Sequence, residues 1–159
     1  RYCCYCGANK SRRELSHMKY SGLSVQQIER LQRAIQSTPF VLLMGIQLDA
    51  AEPGAASMSL PVRDELMRNN GVLHGGATAS LIDTCAAFAV IPLLAEDEFS
   101  VTADLTISYL RPLMRGMARA SAKVLRQGSR VTVLSIEVTD TDGKLTATAL
   151  TTHLTLKKN

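Results

Sequence analysis

His74-Gly75-Gly76-Ala77-Thr78-Ala79-Ser80-Leu81-Ile82-Asp83-Thr84-Cys85-Ala86-Ala87-Phe88-Ala89-Val90-Ile91-Pro92-Leu93-Leu94 is the stretch on which the fold turns. From Ala77 to Leu94 the residues are small or apolar almost throughout, and Asp83 carries the one charge. Alanine, leucine and isoleucine favour a helix, and the run is too long for an ordinary strand. A helix that is apolar all round is a buried one. Something must therefore wrap it.

The downstream sequence supplies the wrapping. Between Val101 and Tyr109 the odd positions are Val, Ala, Leu, Ile and Tyr, and the even ones are Thr102, Asp104, Thr106 and Ser108. Such alternation is the signature of a half-buried strand. Ala118, Ala120, Ala122 and Val124 repeat it, and Val131 to Val138 and Leu145 to Leu156 continue it with parity slips of the kind that bulges produce. Gly128 and Asp142-Gly143 mark hairpins. Upstream, Ser24 and Gln27 read as a capping box that opens a helix carrying Val25, Ile28, Leu31, Ala34 and Ile35, stopped at Pro39. Phe40–Pro53 and Gly54–Val62 read as two extended segments about a Pro53-Gly54 turn. The expected fold is α+β: a short N-terminal helix, then a curved antiparallel sheet around one long buried central helix.

The chain of 159 residues suits one domain, residues 18–159, behind a leader. Residues 1–17 are expected to be disordered or vector-derived, because Ser16-His17-Met18 resembles a cloning junction. Of the formal charge of +4, residues 1–18 carry +3, so the body is nearly neutral and a general nucleic-acid surface is not expected. Cys3, Cys4 and Cys6 lie together and Cys85 alone, which is no disulfide framework. Cys3, Cys6 and His17 lack the paired knuckles of a zinc site. No metal and no cofactor is expected, and a reducing cytoplasmic compartment is the default. The longest unbroken apolar run, Cys85–Ala95, is short of the roughly 20 residues of a membrane span.

The chemistry centres on His74 and Asp83. A helix opening at Gly75-Gly76 presents unpaired amides at its positive end, and glycines let a ligand come close to the backbone. Such an end can hold a polarised carbonyl, with His74 as a second donor. The plainer reading of this triplet alone is a tight turn. Asp83, however, is costly inside an apolar helix unless it is paired or used. His74 and Asp83 are nine residues apart, about 13 Å of rise and roughly 900° of turn, hence on opposite faces. They can share one reacting atom only if Asp83 meets the His74-Gly75 end of another copy. A composite site in a two-fold homodimer follows.

Asn70-Gly71-Val72-Leu73-His74-Gly75-Gly76, then Leu81-Ile82-Asp83-Thr84, resembles the hotdog-fold acyl-CoA thioesterases of the phenylacetic-acid type, a group that includes 4-hydroxybenzoyl-CoA thioesterase-like enzymes. Thr102-Ala103-Asp104-Leu105, Ser108-Tyr109-Leu110-Arg111-Pro112 and Gly128-Ser129-Arg130 extend the match over about residues 24–157. The resemblance implies a hotdog fold, subunits paired edge to edge, and hydrolysis of acyl- or aryl-CoA to free acid and coenzyme A. It assigns the Gly75 amide, assisted by His74 and followed by Gly76, to the thioester carbonyl. It makes Asp83 of the facing subunit the general base or nucleophile, and Thr102 the hydroxyl that orients the water or the carboxylate. The family usually has Asn or Gln six positions before the histidine; here Arg68 stands there, and Asn69 is taken as the substitute through a shifted loop. Asp83 must be ionised near neutral pH, which its partners have to secure.

Arg111, Arg115, Arg119, Lys123, Arg126 and Arg130 follow one another without an intervening acid. Besides a solvated outer sheet face, they offer a track for coenzyme A phosphates, with Arg111 and Arg130 foremost and Lys123 and Arg126 beside them. The competing reading is a non-catalytic acyl-CoA sensor whose residues 1–38 contact DNA. Asp83 opposes it, as does the single convincing N-terminal helix where a helix-turn-helix needs two. A hydratase on the same fold lacks its usual Asp/His signature. The expected partners are substrate and a second copy, with a dimer of dimers as the larger assembly, and neither nucleic acid nor membrane.

Overall fold

A computed structural model describes residues 19–158. Residues 1–18, and with them the cysteine cluster and His17, lie outside the described residues. In chain order the elements are β1 (Lys19–Tyr20), α1 (Val25–Ser37), α2 (Pro39–Met44), β2 (Gln47–Glu52), β3 (Ala55–Pro61), α3 (Gly75–Val90), β4 (Glu98–Tyr109), β5 (Met117–Gln127), β6 (Val131–Thr139) and β7 (Leu145–Lys157). Short 3₁₀ turns at Asp64–Leu66 and Ile91–Leu93 flank the central helix.

One seven-stranded sheet runs β1-β2-β3-β5-β6-β7-β4, antiparallel throughout except where β1 meets β2. The chain leaves the sheet after β3 and rejoins it at the far edge as β4, and α3 spans the crossing. This is the hotdog arrangement. α3 packs on an alanine stripe, Ala118, Ala120 and Ala122 of β5, whose small side chains let the helix come close to the sheet. Leu81, Ile82, Cys85, Ala86 and Ala89 of the helix are fully buried against it. The approach is so tight that the Cys85 Sγ lies 3.4 Å from the Ala56 carbonyl oxygen. By length and mean hydropathy Gly75–Leu93 passes as a membrane span, although no unbroken apolar run in the sequence is that long. Its burial within the sheet makes it a core helix instead.

α1 begins as the sequence predicts. The Gln27 amide donates to the Ser24 hydroxyl and the Ser24 amide to Gln27 Oε1. Gln27 then reaches the Pro92 carbonyl, and the Arg30 guanidinium donates to the carbonyls of Leu94, Ala95 and Glu98. α1 thereby ties down the chain that leaves α3. The segment after it departs from the expectation: Phe40–Met44 is helical, not extended. Pro39 supplies a favoured first helical residue, and Gly45, at a φ of 72°, closes the turn in the left-handed region that side chains disfavour.

A bulge in β4 matters most for the site. Thr102 pairs with His153 and Asp104 with Thr152, so Ala103 is the surplus residue. Leu105, Ile107 and Tyr109 keep the inward parity read from the sequence, but ahead of the bulge the parity reverses. Thr102, not Val101, then shares the inner face.

Candidate active site

The start of α3 is built around His74. Its imidazole Nδ1 accepts from the Gly76 amide at 2.9 Å, an N-cap in which the ring replaces the usual hydroxyl or carboxylate. An accepting Nδ1 leaves the ring proton on Nε2, so His74 retains an N–H donor. The Ala77 and Thr78 amides both donate to the His74 carbonyl. Among the described residues the Gly75 amide is then the first-turn donor without a partner.

The two glycines stand there for different reasons. A Cβ on Gly76 would lie 2.9 Å from His74 Nδ1 and push the cap apart. A Cβ on Gly75 would meet only the Tyr109 ring, at an ordinary 3.5 Å, and its backbone is plain helix. Nothing among the described residues therefore requires a glycine at 75.

Tyr109, at the end of β4, donates its hydroxyl to the Gly75 carbonyl at 3.0 Å. Beside it opens a cleft of about 440 Å³ whose walls include Arg68, Gly75, Thr78, Tyr109, Arg111 and Thr146. Arg111 is braced there by donating to the Leu145 carbonyl at 2.7 Å. Arg68 faces the cleft, whereas Asn69 sits at the exposed tip of the turn closed by the Arg68 amide and the Val72 carbonyl. Lys123 and Arg126 are exposed on the outer side of β5, brought to one face by a bulge at Leu125, and Arg130 lies in the β5–β6 turn. None of these three lines the cleft.

Asp83 lies further along the helix, away from this end. The re-aimed Thr102 hydroxyl donates to its Oδ1 at 2.7 Å, which fixes the carboxylate and leaves Oδ2 without a partner among the described residues. Behind Thr102 in the sheet stands His153, a residue that the sequence reading passed over. It is only 1% exposed. The structure thus brings His74, Gly75, Gly76 and Arg111 into one group and Asp83 and Thr102 into another. β4 carries a member of each: Tyr109 at one end and Thr102 about 20 Å back along the strand. β4 is also an edge, with its outer backbone groups unpaired by any described strand.

The family model described as "Thioesterase superfamily" matches residues 70–147, which hold both groups. A Saccharolobus solfataricus protein described as a candidate esterase is 42% identical over 100 residues, 62% of this chain and 70% of that one. A medium/long-chain acyl-CoA thioesterase of Salmonella typhimurium is 28% identical over 131 residues, covering 73% and 84%. The crystal structure of a thioesterase from Haemophilus influenzae superposes with a TM-score of 0.75 at 27% identity, covering 81% of this chain and 90% of that one.

Proposed function

Because the chain belongs to the thioesterase superfamily, we propose that it is an acyl-CoA thioesterase working as a homodimer with shared sites. The supporting observation is the placement of the two half-sites along one open edge strand. Antiparallel pairing of β4 with β4 of a second copy, centred near Leu105 and Thr106, sets each Gly75–Tyr109 end beside the other copy's Thr102–Asp83 pair. An unpaired edge is a ready template for that addition.

The chemistry follows from the groups so assembled. The free Gly75 amide, with the His74 Nε2–H, polarises the thioester carbonyl and holds the oxyanion as it forms. Asp83 of the other copy, steered by Thr102, takes a proton from water as the water oxygen bonds to the carbonyl carbon. The tetrahedral intermediate then breaks its C–S bond, releasing the acid and the thiolate of coenzyme A. A thiolate leaves readily, so carbonyl polarisation and water activation are the two needs, each worth about 10²–10⁴-fold. Arg111, at the cleft wall, is suited to a coenzyme A phosphate. The Salmonella relative's description supports an acyl-CoA substrate.

Asp83→Asn keeps the shape and removes the base. Turnover of acyl-CoA, followed with a chromogenic thiol trap, is expected to fall at least about 10²-fold with the dimer intact. Unchanged turnover removes Asp83 from the mechanism. Verified heterodimers of Asp83→Asn with His74→Ala are expected to recover a fraction of sites; none recovered means that the halves do not combine across subunits.

A further inference from the structure

We propose that His153 is a positioning residue for Asp83, a neutral imidazole behind the Thr102–Asp83 pair whose protonation draws basicity from the carboxylate and closes the site on the acid side. This rests on the reading of Asp83 as the base. Register carries the argument first. Thr102 of β4, His153 of β7 and Thr132 of β6 stand opposite one another, and Thr102 and His153 belong to the same inward row that meets α3 at Asp83. His153 and Thr132 are 1% and 3% exposed.

Burial carries it further. Neither His153 Nδ1 nor Nε2 has a hydrogen-bond partner among the described residues. A buried polar group left so is destabilising relative to an apolar side chain, and packing alone gives no reason to keep it. A ring beside a working carboxylate supplies one.

The charged group that geometry links to His153 is Asp83, held at 2.7 Å by Thr102, the cross-strand neighbour of His153. Along the same inward parity, Glu98 of β4 and Lys157 of β7 stand four residues further on; the Glu98 carboxylate accepts from the Ala95 amide, and Lys157 pairs with Asp97. The inward positions of β6, Thr132, Leu134, Ile136 and Val138, carry no charge. Burial pushes the imidazole pKa below its ordinary value, and the Asp83 carboxylate opposes that shift. At neutral pH the ring is therefore uncharged. Linkage is reciprocal: a carboxylate that favours imidazolium is itself made a weaker base by imidazolium.

The test has two readouts. His153→Gln cannot take up that proton, so its kcat/KM is expected to fall on the acid side with a one-proton slope, where the unsubstituted enzyme steepens toward two. Superimposable profiles overturn the proposal. Independently of turnover, the His153 ring proton resonance, assigned by its loss in His153→Gln or by isotope-edited spectra if that variant does not fold, is titrated in the unsubstituted protein and in Asp83→Asn. The His153 pKa is expected to drop further in Asp83→Asn, where the opposing charge is gone. An unmoved pKa refutes the coupling even if Asp83→Asn is inactive; an active Asp83→Asn refutes the base itself.

Discussion

Replacing Gly75 by alanine separates what the fold needs from what the reaction needs. The new methyl group sits 3.5 Å from the Tyr109 ring, a normal contact, on backbone that any residue adopts. Alanine also lowers the entropy of the unfolded chain and favours helix, a gain of about 0.5–1 kcal/mol. For a chain of this size that raises the melting temperature by about 1–4 °C. The same methyl group, however, fills the space beside the free amide. Loss of one oxyanion donor lowers turnover by about 10²–10³-fold. The expected variant is thus more stable and nearly dead, measured by thermal unfolding and by thiol release from acyl-CoA. Full activity would refute the idea that substrate comes within contact of this backbone. A melting temperature that falls together with activity would show the glycine to be structural. Gly76→Ala is the contrast: its methyl group collides with the His74 ring at 2.9 Å, so stability is expected to drop.

Three further outcomes are expected. Ala120→Leu forces a larger side chain between β5 and α3, and denaturant unfolding should report a loss of about 1–3 kcal/mol. Stability should fall as pH drops below 6.5, because the unfolded chain takes up a proton at His153 near that pH and the folded chain only lower down; above 6.5 this contribution is complete, and His153→Gln should flatten it in melts across pH 4.5–7.5. Cys85, whose thiol burial pushes up to about 12, should stay unmodified by thiol reagents in the native protein and react once it is unfolded, as read by peptide mapping.

The long helix was legible because nothing but burial suits such a composition, and β4 to β7 because period-two alternation shows through in them; β2 and β3 were marked by the Pro53-Gly54 turn, and the two-residue β1 left no signal. α2 was not, since six apolar residues fit a strand as well as a helix; Pro39 and Gly45 were the available signals. The bulge at Ala103 left no mark in the alternation, because it depends on how β4 registers against β7. Taken alone, that alternation places Thr102 outward, and only the resemblance gave it a role. His153 shares the parity of Ala147, Ala149 and Thr151, so a search for a lone polar ring in an inward row would have found it. That Arg68 and not Asn69 lines the cleft depends on the closure of a single turn, which spacing does not encode.

The bare flank of β4 has a consequence for how such a catalyst behaves when scarce. In the proposed dimer each chain alone would hold only part of two reaction centres, so specific activity would be governed by encounter between chains. Dilution below the dissociation constant would then silence the protein without unfolding it.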